Sequence, residues 1–520
     1  MLQVKISKTV NFPFYLLFLL ILYFFICWYL VRNIFYLEID PDGISYISIA
    51  YKYLNHDPNA INAYWSPLYS WLLMPFLKFG VVATWASKYL NTFLGVFSLF
   101  GSWLLIIRFN INSKYQKIIL LFLVPLTLYF SFFYTTPDLL LLVIVQFYLL
   151  LVSNQNYYHK TINLILVGLF GGLGYLTKSY FFFFFLLHFF LINLLYIYRK
   201  RNGFHRQEMI KGILISLGVF LIIFGAWAVI ISNKYQKFSI GTAGEYNYKI
   251  VGPNIPQFPV FYLGFMSPTN DTAISSWEDP SFQNIENWST LSSRTNFYYQ
   301  IKLIVQNSYK FLSIIQNFSC FGISLLTLIT LLWLAKERIF FRDDDILFSI
   351  VTILTWVIGY IFISVEARYL WIIDIFLIIL GVKILNNITS SFKNKSLGIL
   401  MVLIFLLSFE KMPIKELLNP ITVRKDAYDV SQILKEKGIV GKFASNANWD
   451  TSLFIAYYLN SKYYGSDSIT SSADINYKLK NLGINYFFAW GEDTSYNMEN
   501  YQPISDLNIN NLKVYQFRTN

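Results

Sequence analysis

The chain is expected to fold as an α-helical polytopic membrane protein with about eleven transmembrane helices and a small C-terminal α/β domain outside the cytoplasm. Three observations predict this. Of its 520 residues, 56% are hydrophobic and 20% aromatic but only 13% charged, and the mean hydropathy of +0.47 lies well beyond a soluble globular average. Apolar runs suited to a hydrocarbon core of roughly 30 Å recur from the start of the chain to about Phe409, separated by short basic loops. After about Lys411 the runs stop, and strand-like and helix-like segments alternate.

The first run, Phe12 to Leu30, follows Lys5 and Lys8. It is too long for a secretory leader and lacks a small-residue cleavage pattern, so it reads as an uncleaved span. The spans fall near Phe12–Phe35, Thr84–Ile107, Ile118–Phe133, Leu139–Val152, Ile162–Leu176, Tyr180–Tyr198, Ile213–Ile231, Phe311–Leu334, Ile346–Ile363, Leu370–Leu385 and Leu397–Phe409. The basic groups Arg108/Lys114/Lys117, His159/Lys160, Arg199/Lys200/Arg201/Arg206/Lys211, Lys336/Arg338/Arg342 and Lys393/Lys395 share a side with Lys5 and Lys8, which makes the N-terminus cytoplasmic. An odd number of spans then places the region from about Lys411 outside the cytoplasm, as expected of a multi-pass protein of the plasma (inner) membrane. The formal charge of +12 gathers in these clusters, as anionic headgroups favour, so membrane lipids are expected partners and nucleic acid is not. Cys27 and Cys320 lie in or beside apolar segments and imply neither a disulfide framework nor a cysteine metal site.

The expected organisation is a membrane domain over residues 1–410 and an extracytoplasmic domain over 411–520. Three features share the outer face. The first is the loop 37–83, where "INAYWSPLYSWLLMPFLKFG", interrupted by Pro67 and Pro75, suits a helix lying in the interface. The second is the loop 233–310, rich in Asn, Ser, Tyr and Pro, with "GTAGEYNYKIVGP", whose glycines permit tight turns. In the third, the C-terminal region, "DAYDVSQILKEKG" reads as a capped amphipathic helix stopped by Gly438. "DTSLFIAYYL" reads as a helix there, and "GKFAS", "NYFFAW" and "LKVYQF" as strands.

Four charged side chains at this face could carry chemistry. Asp42, in "EIDPDGISYISIAYKYL", precedes a helix-like run that begins three residues later, and the helix dipole favours its ionised form. A simple cap is the alternative. Asp138, in "YTTPDLLLLVIV", puts a carboxylate at a membrane boundary, a costly place unless it faces protein, water or a cation; otherwise it is a helix-start acid. Lys178, in "GGLGYLTKSYFFFFF", and Arg368, in "SVEARYLWIIDIF", flank apolar spans, and either could simply snorkel to headgroups. Arg holds phosphate through a planar fork, and Lys supplies a mobile point charge.

The ordered segments "DGISYISIAYKYL", "YWSPLYSWLL", "TTPDLLLL", "GLGYLTKS" and "EARYLWIIDIF" resemble those of GT-C glycosyltransferases, especially the bacterial family 39 group of lipid A aminoarabinose transferases and protein O-mannosyltransferases. "GTAGEYNYKIVGP" also looks like an outer-loop segment of bacterial members. The resemblance implies a GT-C fold and an inverting transferase that moves a sugar from a polyprenyl-phosphate donor to a glycan, lipid or protein acceptor of the cell envelope. Asp42 falls at the family's catalytic acidic position, Asp138 at its second acidic position, and Lys178 and Arg368 at cations near the donor phosphate. Asp40, Tyr46, Trp65 and Glu245 are accessory candidates. Two departures bear on acceptor choice and metal: Gly43 follows Asp42 where the family often has an acidic residue, and "WSPLY" replaces a Lys-Pro-Pro type segment. The cofactor is therefore unknown, a divalent metal being compatible with the sequence but not required by it. A transporter or flippase of lipid-linked sugars would share many spans and buried charges, though its key groups commonly lie near mid-bilayer. A non-catalytic lipid-binding assembly protein would leave Asp42 dispensable.

Overall fold

The computed structural model describes residues 12–199, 203–334, 344–389, 394–419, 423–468, 472–491, 496–509 and 511–518. Lys5, Lys8, Lys200, Arg201, Lys336, Arg338, Arg342 and Lys393, used above for orientation, lie outside them. The chain divides into two compact units. One comprises Met1–Tyr36, Lys88–Phe238 and Thr290–Pro420, and the other Leu37–Ser87, Ser239–Ser289 and Ile421–Asn520.

The first unit is helical. In hydrocarbon every backbone polar group must be satisfied within its own segment, which is why apolar runs of this length form helices. Among the described residues six helices are long and apolar enough to cross a membrane: Phe14–Asn33, Ala83–Arg108, Ser113–Phe132, Tyr180–Tyr198, Arg206–Tyr235 and Ala367–Thr389. The number rises to eight if each of two bent helix pairs is one span, and Asp138–Val152, Thr161–Thr177 and Leu347–Ile363 are shorter apolar helices. The single span expected over Phe311–Leu334 is instead two helices, Arg294–Phe318 and Gly322–Leu331, meeting at 116°. Ser319 is extended at the break, and its hydroxyl shares a 2.6 Å hydrogen bond with that of Ser408. The helices Gly203–Tyr235 and Arg294–Phe318 also run into the expected long loop from both ends, leaving a loop of about 236–293.

Small residues set the spacing of the helices that position Lys178. A Cβ on Gly168 would lie 2.3 Å from the Ser216 carbonyl oxygen, and one on Gly174 would lie 2.2 Å from the Phe181 ring. Thr161–Thr177 therefore approaches its neighbours at backbone distance, as small residues permit in membrane helix packing. Asp345 ties three helices together, 3.4 Å from Arg108 Nη1 and 3.0 Å from Lys383 Nζ.

The second unit holds a five-stranded sheet in the order β2-β1-β3-β5-β4, with β1 Lys442–Ser445, β2 Lys462–Ser466, β3 Tyr486–Trp490, β4 Tyr501–Ile509 and β5 Leu512–Phe517. β1 is parallel to β2 and β3, and β5 is antiparallel to β3 and β4. Helices Trp449–Tyr458 and Ser472–Asn481 supply the crossovers that parallel strands need. Ile475, Leu479, Phe487 and Ala489 are buried in the core of this sheet. The expected strands and the helices at Val423–Glu436 and Trp449–Tyr458 are present, with Gly438 at a φ of +68° where the first of these stops. β2, β4 and the helix Ser472–Asn481 were not foreseen. Segments from the long loop run along β2, where Tyr463 N donates to Ile274 O and Met266 N to Tyr464 O, both at 2.7 Å, so the edge strand is covered.

Candidate functional site

The first unit brings Asp138, Lys178 and Arg368 together from three separate segments. Asp138 opens the helix Asp138–Val152 after a turn shaped by Pro137, and Thr136 Oγ1 donates to its Oδ2 at 2.6 Å. Lys178 closes the helix Thr161–Thr177, its backbone N–H bonded to Gly174 O, and its ammonium lies 2.6 Å from Asp138 Oδ1. Arg368 sits in the turn Ala367–Leu370 that feeds the helix Trp371–Thr389, with Nε 3.9 Å from Asp138 Oδ2 and 2.7 Å from Glu366 Oε2. The carboxylate thus lies between two cations, as a buried charge requires.

Aromatic rings hold this cluster. Lys178 Nζ stands 4.4 Å over the Tyr369 ring, and the Arg368 guanidinium is 5.4 Å from both Tyr134 and Tyr369. Tyr369 stacks on Tyr360 at 4.6 Å, and Tyr360 on Tyr180 at 3.9 Å. Trp356 Nε1 donates to Tyr369 O at 2.7 Å and pins the backbone beside Arg368. The two Asp138 oxygens engage Lys178 and Thr136, the geometry of a group that orients cations. Glu366, at 41% side-chain exposure, is much the most accessible of the four charges, and its position on Arg368 is one that another anion could take.

The second unit contains Asp42 and a set of partners that sequence reasoning missed. The helix begins at Pro41, not at Ser45, because Asp40 is the N-cap: its Oδ1 accepts from Gly43 N at 2.7 Å. The cap alternative considered for Asp42 therefore belongs to Asp40, and Asp42 lies in the first turn. Its Oδ1 accepts from Trp277 Nε1 at 3.1 Å. Trp277 sits in a short turn begun by Ser275, and its carbonyl accepts from Trp65 Nε1 at 3.2 Å. Tyr46 meets Trp65 edge-on at 5.1 Å, and Phe258 meets Trp277 at 5.3 Å. Tyr46 and Trp65 are thus buried supports of the Trp277 indole. Glu245 is exposed and pairs with Lys249 at 2.7 Å, one turn along its own helix.

Beneath Trp277 lies a buried ion pair. Lys52, ten residues beyond Asp42 on the same helix, bonds Glu278, and both side chains are 4% exposed. Ser48 Oγ and Ile274 N also donate to Glu278, at 2.7 and 3.2 Å, and Lys52 donates to Asn270 at 3.1 Å. Burial raises the Glu278 carboxyl above its ordinary range, against the downward pull of Lys52. The signal that could have found this pair is a lysine on the apolar face of "SYISIAYKYL", which needs a buried acid from elsewhere. Arg424 reaches the same region, donating to Ile39 O at 2.9 Å and standing 3.4 Å from Glu38. Among the described residues no group of three or more His, Cys, Asp or Glu side chains is arranged to hold a metal ion.

No family model and no curated protein sequence matches the chain. Solved structures do. ArnT from Cupriavidus metallidurans bound to undecaprenyl phosphate superposes with a TM-score of 0.54 at 12% identity, over 98% of each chain. The oligosaccharyltransferase AglB from Archaeoglobus fulgidus, in complex with an inhibitory peptide and a dolichol-phosphate, has a TM-score of 0.49 at 10% identity, over 92% of this chain and 70% of its own. The full-length superposition on the first, together with the apolar helices and the small C-terminal sheet, shows that this chain has the GT-C glycosyltransferase fold.

Proposed function

We propose that the chain is an inverting membrane glycosyltransferase, moving a sugar from a polyprenyl-phosphate donor to a cell-envelope acceptor at the extracytoplasmic face of the plasma (inner) membrane. The observation that carries this reading is the convergence of Lys178 and Arg368 on Asp138, a two-cation cluster at the ends of apolar helices. There an isoprenoid tail could lie among helices while its phosphate meets charge-assisted donors. The undecaprenyl phosphate bound by ArnT supports the same ligand class. Asp138 is assigned as the acid that holds the cations, with Glu366 leaving Arg368 when the phosphate arrives.

Asp42 is the proposed base, oriented by the Trp277 indole. It takes the proton of the acceptor hydroxyl as that oxygen attacks the anomeric carbon from the side opposite the phosphate. The bond from the anomeric carbon to the phosphate oxygen breaks, its electron pair stays on the departing lipid phosphate, and Lys178 and Arg368 stabilise that charge. Attack from the opposite side inverts the anomeric configuration. Mass spectrometry of envelope glycans and lipids, from cells with wild-type protein or Asp42→Asn, tests the reading. A sugar present only with wild type is the expected result, and identical profiles would overturn it.

A further inference from the structure

The second unit contains an open cleft of about 560 Å³, lined in part by Gln257, Phe261, Asn448, Asp450, Thr451 and Ser468. We propose that this cleft binds a neutral glycan and that the acceptor of the proposed transfer is accordingly a glycan and not a lipid or a protein. The second clause rests on the glycosyltransferase reading; the first does not.

Topology supports a ligand here. β1 is flanked by β2 on one side and β3 on the other, so the chain leaving β1 and the chain entering β3 cross over in opposite directions. In open α/β sheets ligands settle outside the carboxyl ends of parallel strands, at such a reversal. The lining residues 446–451 follow β1, and Ser466 and Ser468 end or follow β2.

The cleft is also built. Asn446 clamps the end of β3 in both directions, donating to Trp490 O at 2.9 Å and accepting from Trp490 N at 2.8 Å. Asn448 then turns the chain into the helix Trp449–Tyr458 with a left-handed φ of 52°, which Asn tolerates better than most residues. The volume lies within the roughly 300–1,000 Å³ of small-molecule sites.

The chemistry of the lining selects the ligand. Amides, hydroxyls and one carboxylate offer donors and acceptors, and the Phe261 ring, 46% exposed, offers an apolar face. A sugar presents hydroxyl groups at its rim and C–H bonds on its faces, and both find partners. None of the described lining residues is Lys, Arg or His, and Arg424, whose charge acts on Asp450, already pairs with Glu38, so the lining favours a neutral ligand. Asp450 at the helix start would repel an anion. The Asp450 carboxyl is raised chiefly by partial desolvation, with Arg424 opposing and the Asp42 charge adding to it, so the carboxylate of the cleft lies within electrostatic reach of the proposed base.

The test uses full-length protein in nanodiscs on a printed array of bacterial surface oligosaccharides, neutral and anionic, together with peptides. No donor is added, and Asp42→Asn is included so that binding is read apart from transfer. Retention of neutral oligosaccharides is expected, lost at least tenfold in Asp450→Ala and in Ser468→Trp, which fills the cleft from an exposed position without touching the core. Absence of neutral glycan retention, or retention unchanged in both variants, would overturn the site. In a parallel transfer assay, sugar reaching a lipid or protein equally well with Ser468→Trp would overturn the acceptor assignment while leaving the transferase intact. Glycan retention with no transfer by wild type would instead count against the transferase reading while upholding the cleft.

Discussion

Glu278→Gln probes the buried pair that carries Trp277 to Asp42. The substitution keeps the shape of the side chain and removes its charge. Lys52, 4% exposed, would retain the Asn270 oxygen at 3.1 Å, the neutral amide and the charge of Asp57, but would lose its bonded counter-ion. Removing one member of a buried pair typically costs about 3–5 kcal/mol, because the survivor stays desolvated and uncompensated. Burial raises the Glu278 carboxyl against the attraction of Lys52, and a buried pair replaced as a whole by neutral groups of similar shape often costs little. Lys52→Met combined with Glu278→Gln should therefore be less damaging than Glu278→Gln alone, with a coupling of roughly 0.5–3 kcal/mol. Denaturant titrations of the full chain in nanodiscs, followed by tryptophan fluorescence across the four-member cycle, measure this. A cost below about 1 kcal/mol for Glu278→Gln, or strict additivity in the double variant, would refute the reasoning.

Asp42→Asn should reduce transfer by roughly 10²–10⁴-fold with thermal stability near wild type, whereas Asp40→Asn, which preserves an N-cap, should leave transfer largely intact; the reverse ranking in a donor-turnover assay would move the base to Asp40. Arg368→Lys and Lys178→Ala should each weaken binding of a polyprenyl phosphate to purified protein, Glu366→Gln should strengthen it, and the double cation variant should depart from additivity; unchanged affinity throughout would remove the phosphate site. Asp450 has a carboxyl raised above its ordinary value, chiefly by partial desolvation, so its contribution to stability is fully present below the unfolded-state value and is lost as pH rises through the raised folded value. Asp450→Asn should then gain on wild type in thermal melts as pH rises through that window, and a constant difference at all pH values would contradict it. In a variant lacking Cys27 and Cys320, Ser468→Cys should react with an impermeant thiol reagent on intact cells and Ser113→Cys should not; the opposite pattern would invert the topology.

The helices and the resemblance to GT-C glycosyltransferases were legible in the residues because both depend on local runs of sequence. An apolar run in lipid must satisfy its own backbone, so hydropathy alone located the segments that became helices, from Phe12–Asn33 to Lys395–Leu407. The alternation in "GKFAS", "NYFFAW" and "LKVYQF" likewise marked β1, β3 and β5. The sequence also singled out Asp42, Asp138, Lys178 and Arg368 as charges that apolar surroundings make expensive. Which of them meet was beyond it. Asp138 and Lys178 are 40 residues apart, and Asp42 and Trp277 are 235 apart. No periodicity spans such distances. The break at Ser319 and the charge of Lys52 are each met by side chains arriving from other segments, Ser408 in one case and Glu278 of the long loop in the other. Even the choice between Asp40 and Asp42 as cap turned on one residue of helix start, a backbone decision made by Pro41 together with the hydrogen bond from Gly43 to Asp40. Sequence fixes what each side chain must avoid, because desolvation is a property of the residue; only the folded chain decides which distant partner relieves it.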